Sequence, residues 1–135
     1  MATGTAGTDA RKYHTYQKHY LMADFVFASA AVTITLGTVP AGATVIDAGV
    51  VVSTAFNSGT SDKLDIGTDG DTNGMATLLE LQTIGRIVAD EMATSNDLGP
   101  YAADDIIQAV YTPVGTAATA GAGRVYVEYL VDDGS

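Results

Sequence analysis

Cysteine and tryptophan are absent from this chain of 135 residues, proline occurs three times, and lysine and arginine together only six times. Without cysteine there is no disulfide framework, no thiolate zinc site and no thiol nucleophile. The shortage of basic residues leaves a net charge of −10 and an isoelectric point near 4.1. Phosphate neutralisation needs a basic face, so a nucleic-acid partner is not expected, and anionic membranes are disfavoured for the same reason. No apolar run approaches the roughly 20 residues of a membrane-spanning helix, and Met1 to Thr15 is too polar for the core of a signal peptide, so a soluble chain is expected. Lysine and glutamate are scarce beside glycine, alanine, threonine and valine, a balance that favours strands and tight turns over surface helices. A chain of this length can bury roughly two thirds of its unfolded surface in one core.

Read in order, residues 1–10 are small and polar, with nothing to bury. The block RKYHTYQKHY, residues 11–20, carries three of the six basic residues, both histidines and three of the seven tyrosines. It is the one basic region of an acidic chain. Tyr20 to Phe27 predicts a first strand, and in the following stretch Val32, Ile34 and Leu36 alternate with Thr33 and Thr35 and are expected to face the core. Gly37 to Gly42 contains Pro40 and predicts a turn. Thr44 to Phe56 is too apolar at Val50, Val51 and Val52 for a strand with one wet face, which predicts a central strand covered on both sides or bent near Gly49.

Asn57 to Ser61 has hairpin-type residues, after which Lys63 to Gly67 returns with Leu64 and Ile66 inward. Ala76 to Ala89 fits either a helix, by the spacing of its leucines and isoleucines, or two short strands, by Thr83 and Gly85; the strands are the reading adopted. Asn96 to Ala103 is a loop. Two strands follow, DDIIQAVYT with both faces partly buried, and RVYVEYLV with Val125, Val127, Tyr129 and Val131 inward, joined by the flexible Pro113 to Gly123. Seven or eight short strands at this spacing predict an all-β protein, a β-sandwich of the jelly-roll kind. The expected division is an N-terminal arm, residues 1–20, and one sandwich domain, residues 21–135.

One metal motif is present. Asp69, Asp71 and Asn73, with Gly74 and then Glu80, satisfy the calcium-loop pattern D-x-[DN]-x-[DN]-G-x5-E. The upstream segment cannot be the entering helix of an EF-hand, so the alternatives are a calcium site and an acidic turn between strands. His14 and His19 have no acid between them, and no serine stands in a nucleophile-elbow context. The paired acids Asp90-Glu91, Asp104-Asp105 and Asp132-Asp133 fall where strands end, and neighbours on a strand point to opposite faces. The glycines of Gly115 to Gly123 lack the lysine of a phosphate loop. No catalytic constellation emerges.

Five segments together resemble small virion structural proteins of tailed bacteriophages, of the head decoration (cement) type. They are the turn Gly37 to Val45, the Phe56 to Asp62 stretch FNSGTSD, Leu64 to Thr68, Gly115 to Gly121 and the closing strand Val125 to Val131. The resemblance covers about two thirds of the chain. It implies a jelly-roll homotrimer on the outer capsid surface of a virion, made in the bacterial host cytoplasm, holding neighbouring subunits of the major capsid protein together without enzymatic activity and without a required cofactor. The resemblance does not reach the arm. On its composition, Arg11, Lys12, Tyr13, His14, Tyr16, His19 and Tyr20 are the candidate residues for binding the capsid or another subunit, because tyrosine and arginine weigh heavily in interfaces; the alternative is a first strand that completes the chain's own sheet or a neighbour's. A second class of function is a β-sandwich recognition module, a carbohydrate-binding or fibre and tail adhesin domain that uses the calcium loop.

Overall fold

Val125, Val127 and Tyr129 are buried while Arg124 between them and the sheet margin is exposed, the period-two pattern of a strand with one face on a core. The computed structural model, which describes residues 16–132, extends that pattern to eight strands with no helix among the described residues. They are β1 (Tyr16–Val26), β2 (Val32–Val39), β3 (Ala43–Thr54), β4 (Ser61–Thr68), β5 (Ala76–Glu80), β6 (Gly85–Val88), β7 (Asp105–Val114) and β8 (Ala122–Asp132).

Pairing is antiparallel throughout and nested: β1 with β8, β2 with β7, β3 with β6, β4 with β5. The chain is thus one long hairpin whose tip is the loop between β4 and β5. The hairpin is rolled so that β8 also pairs with β3 and β7 with β4, giving one sheet in the order β1-β8-β3-β6 and a second in the order β2-β7-β4-β5. This is a jelly roll, as the strand count and spacing predict.

The core lies between the sheets. The first sheet contributes Phe25, Val45, Val50, Val52, Val125 and Val127, and the second Val39, Leu64, Ile66, Ile107, Ala109 and Tyr111. Phe25, Phe56 and Tyr111 stack in its middle with ring centroids 5.2 to 6.1 Å apart. Each such buried side chain is worth roughly 1.5–3 kcal/mol against exposure, which is what offsets the ordering of a chain rich in glycine.

Four local expectations are corrected. The FNSGTSD stretch is not a hairpin: β3 and β4 lie in different sheets, and residues 55–60 cross between them with Phe56 buried as the anchor. Strand β3 is central within its sheet but is not covered on both faces, since Val51 is 41% exposed while Val50 and Val52 are buried; its irregularities fall at Val45/Asp47 and Val52/Thr54, not at Gly49. Strand β2 runs on to Val39 through an irregularity between Thr35 and Gly37, which confines the turn to Pro40 to Gly42. On β2, Ile34 and Leu36 pack against the core as expected, but Val32, at the strand's start, is 40% exposed. The two-strand reading of Ala76 to Ala89 holds, with β5 and β6 again divided between the sheets. Strand β1 begins at Tyr16, so residues 16–20 of the expected arm are part of the first sheet.

Candidate interaction surfaces

The jelly roll sorts its loops into two ends. At one end, residues 55–60, 81–84 and 115–121 meet. Asn57 takes backbone N–H donors from Thr119 and Ala120, and Gln82 donates to the Ser58 carbonyl at 2.9 Å. Below them Asp62, with no exposed surface, accepts from the Ser58 backbone at 2.8 Å, the Ser58 hydroxyl at 2.6 Å, Gln82 at 2.9 Å and the Tyr111 hydroxyl. Burial pushes the Asp62 carboxyl up, but these bonds outweigh it and hold the group below the usual carboxylate range. Burial and the bond to Asp62 push the Tyr111 phenol up to about 12. The FNSGTSD motif is therefore a buried polar lock that carries the chain from one sheet to the other.

The opposite end gathers residues 40–42, 69–75 and 89–104, and β1 starts and β8 stops there, with Tyr16 opposite Asp132. The candidate calcium loop is the tip of the long hairpin. Its main chain closes around Asp71, whose carbonyl accepts from Thr68 and Gly74, while Asp69 N–H donates to the Ile106 carbonyl at 3.1 Å. Asp69, Asp71 and Asn73 share this exposed tip, but Glu80 does not join them. It sits at the far end of β5 opposite Lys63, bonded to the Lys63 ammonium at 2.8 Å and the Gln82 N–H at 3.0 Å. From Lys63 to Thr68 along β4 is about 16 Å at roughly 3.3 Å per residue.

The loop's neighbours are instead two acids that the spacing of the sequence did not connect to it. Asp105 lies beside Asp69, and Asp97 accepts from the Thr68 hydroxyl at 3.3 Å beside Asp71. Burial and then the charge of Asp71 raise Asp97, and burial with the contact to Asp69 raises Asp105. Among the described residues no three histidine, aspartate or glutamate side chains converge as a metal site. The antiparallel register of β4 with β7, which sets Thr68 opposite Ile107, is what brings Asp69 to Asp105; no local sequence signal carries that information.

Of the candidate binding residues in the arm, Arg11, Lys12, Tyr13 and His14 lie outside the described residues, and Tyr16 opens β1. Strand alternation divides the rest. His19 stacks on the ring of Tyr129 at 5.3 Å, whereas Tyr20 points outward and is 58% exposed. Lys18 pairs with Glu128 at 3.3 Å.

Tyr20 belongs to the outer face of the first sheet, which differs in kind from the rest of the surface. Three ion pairs cross it: Lys18 with Glu128, Arg86 with Asp47, and Arg124 with Asp24. The two-point contact of Arg124, at 2.6 and 3.2 Å, holds the Asp24 carboxyl below its ordinary range. Between the pairs stand exposed apolar groups, Met22, Val26, Val51 and Val88. Tyr126 lies across Gly49, and Arg86 Nε donates to its hydroxyl at 2.6 Å. Beside the Asp24–Arg124 pair the small side chain of Ala122 leaves an open hollow of about 510 Å³, walled by Val26, Val51 and Ser53. The outer face of the second sheet carries Thr33, Thr35, Gln108 and Thr112 with the Lys63–Glu80 pair, and its strands also expose Leu78 and Ile106.

No protein-family model matches the sequence, and no curated protein does. Solved structures match in fold. A chain in the capsid asymmetric unit of cyanophage Pam1 is 16% identical, with a TM-score of 0.61 over 97% of this chain and 92% of that one. A chain in the acid-stable capsid structure of Helicobacter pylori bacteriophage KHP30 is 14% identical, with a TM-score of 0.61 over 86% of this chain and 93% of that one. At these identities the likeness is one of fold: the chain has the β-sandwich build found in two phage capsid structures.

Proposed function

We propose that this chain is a structural component of a phage virion, a non-enzymatic decoration protein that binds the outer surface of the major capsid shell as a homotrimer and stabilises it. The observation that carries the reading is the near full-length likeness to a chain of the Pam1 capsid unit, joined to the motif resemblance of residues 37–45, 56–62 and 115–131. The FNSGTSD motif serves as a structural lock between the sheets, and Asp97 and Asp105 lie against the acids of the hairpin tip, which suits a structural role. A cement protein of this kind works through area and multivalency, since linking three modest contacts raises avidity by roughly 10²–10⁴. The cations Lys18, Lys63, Arg86 and Arg124 are each held in an intramolecular ion pair. Arg11 and Lys12, with Tyr13, His14, Tyr16, His19 and Tyr20, are our candidate anchor on the shell, on the weight of basic and aromatic residues in their composition.

The test is co-sedimentation of the purified protein with undecorated capsids. Saturable binding that raises the shell's resistance to heat or chelator is the expected result, and absence of binding at tens of micromolar overturns the reading. An Arg11→Ala, Lys12→Ala double variant, which leaves β1 intact, is expected to bind at least tenfold more weakly; undiminished binding removes the arm from the mechanism.

A further inference from the structure

We infer that the outer face of the first sheet is the surface on which one copy of this chain meets another. The face is charge-balanced, with Lys18, Arg86 and Arg124 answered by Glu128, Asp47 and Asp24. Asp132 at the end of β8 adds one acid at the margin of this sheet; elsewhere among the described residues the acids run from Asp62 to Asp105 and Lys63 is the sole base. Two copies that approach by the loop ends or by the second sheet therefore bring like charges together, which costs association. Approach by the first sheet brings together three balanced ion pairs and little net charge. Because every ion of these pairs already has a partner within its own chain, contact does not leave any of them unpaired, the case that is strongly unfavourable.

The same face supplies the attraction. Tyr20 at 58%, Met22 at 55%, Val26 at 63% and Val88 at 49% exposure stand out from it. The hollow over Ala122 has room for an inserted aromatic or methionine side chain from a neighbour. Four strands about 4.8 Å apart, the longest of twelve residues at about 3.3 Å each, make a face on the order of 600 Å². Two such faces bury about 1,200 Å² in total, the lower bound of stable protein interfaces. Knob and hollow at different places on one surface, with balanced charge, are the elements of a contact in which the knob of one copy enters the hollow of the next. The inference does not depend on capsid binding, and the two fail separately.

Sedimentation velocity of the purified full chain between about 1 and 100 μM tests it. The expected result is a concentration-dependent assembly of two or three copies of the 13.8 kDa chain. Met22→Asp and Val51→Asp, each on an exposed side chain of this face, are expected to weaken assembly at least tenfold while circular dichroism and melting temperature stay those of the parent. Thr33→Asp and Thr35→Asp, on the second sheet, are the charge-matched controls and are expected to leave assembly within twofold. A parent that is monomeric at every concentration overturns the inference, as does an assembly that the first-sheet variants leave intact or that the second-sheet controls weaken equally.

Discussion

A carboxylate removed wholly from water costs several kcal/mol unless hydrogen bonds replace the lost solvent, and Asp62 obtains four from three side chains and one backbone amide. Asp62→Ala would leave the hydroxyls of Ser58 and Tyr111 and the Ser58 backbone N–H without their acceptor, so a loss of about 3 kcal/mol or more in urea unfolding is expected. The pH dependence has a definite sign. The folded pKa lies below the unfolded value near 3.8, so this contribution is complete above that value and is lost as pH falls through the folded pKa. Asp97 behaves in the opposite sense. Its folded pKa is raised, so the native state holds the proton more tightly and stability declines as pH rises from the unfolded value through the folded one. Asp97→Asn is therefore expected to raise the melting temperature at pH 7, with the gain vanishing below about pH 4, where the acid is already protonated. A melting temperature that falls equally at both pH values would contradict this account. None of it was legible in the chain, because Asp62 in a serine and threonine turn, and Asp97 beside a Gly-Pro pair, look like solvated loop acids until the register places Tyr111 and Thr68 against them.

At the scale of strands, what could be read followed side-chain period. Strand β4 alternates from Ser61 to Ile66 and β8 from Ala122 to Leu130, and their buried sets, Leu64 with Ile66 and Val125 with Val127, are those the sequence implies. Which sheet a strand joins is not encoded locally. Residues 55–60 have the turn chemistry of a hairpin, and what makes them a crossing is Phe56 stacking 5.5 Å from Phe25 and 5.2 Å from Tyr111. The same limit hid the start of β1, since Tyr16 to His19 alternates polar with polar and gains its place by pairing with β8. At one point inside the first sheet the sequence did hold a mark: Gly49, opposite Tyr126 on β8 and Val88 on β6. A Cβ there would stand 2.6 Å from both the Ile87 carbonyl oxygen and the Tyr126 hydroxyl. The tyrosine can swing away but the backbone oxygen cannot. Gly49→Ala is expected to cost about 1–3 kcal/mol, the range of overpacking in a filled site, and Gly49→Ala with Tyr126→Phe is expected to recover less than half of it, because the clash with the backbone persists. Full recovery in the double variant would place the conflict in the side chain alone.

For the molecule as a whole, composition foretold the acidic character and the fold class but not the distribution of charge, since the three ion pairs of the first sheet join residues 39 to 110 positions apart, Arg86 with Asp47 nearest and Lys18 with Glu128 farthest. That distribution predicts how the chain responds to salt. With a net charge of −10, the dominant long-range term in the folded monomer is self-repulsion, and exposed ion pairs such as Arg124–Asp24 contribute little, because solvent screens them. Screening weakens both, the Debye length shrinking from about 30 Å at 0.01 M to about 3 Å at 1 M, but the repulsion acts over longer distances and is lost first. The melting temperature of the dilute protein is therefore expected to rise by a few degrees between 10 and 200 mM sodium chloride. Assembly through the first sheet should strengthen over the same range, because copies that repel at a distance then meet on apolar groups and on ions already paired within their own chains. An interface built on ion pairs between copies would weaken with salt, so sedimentation at the two salt concentrations separates the two kinds of contact by the sign of the change.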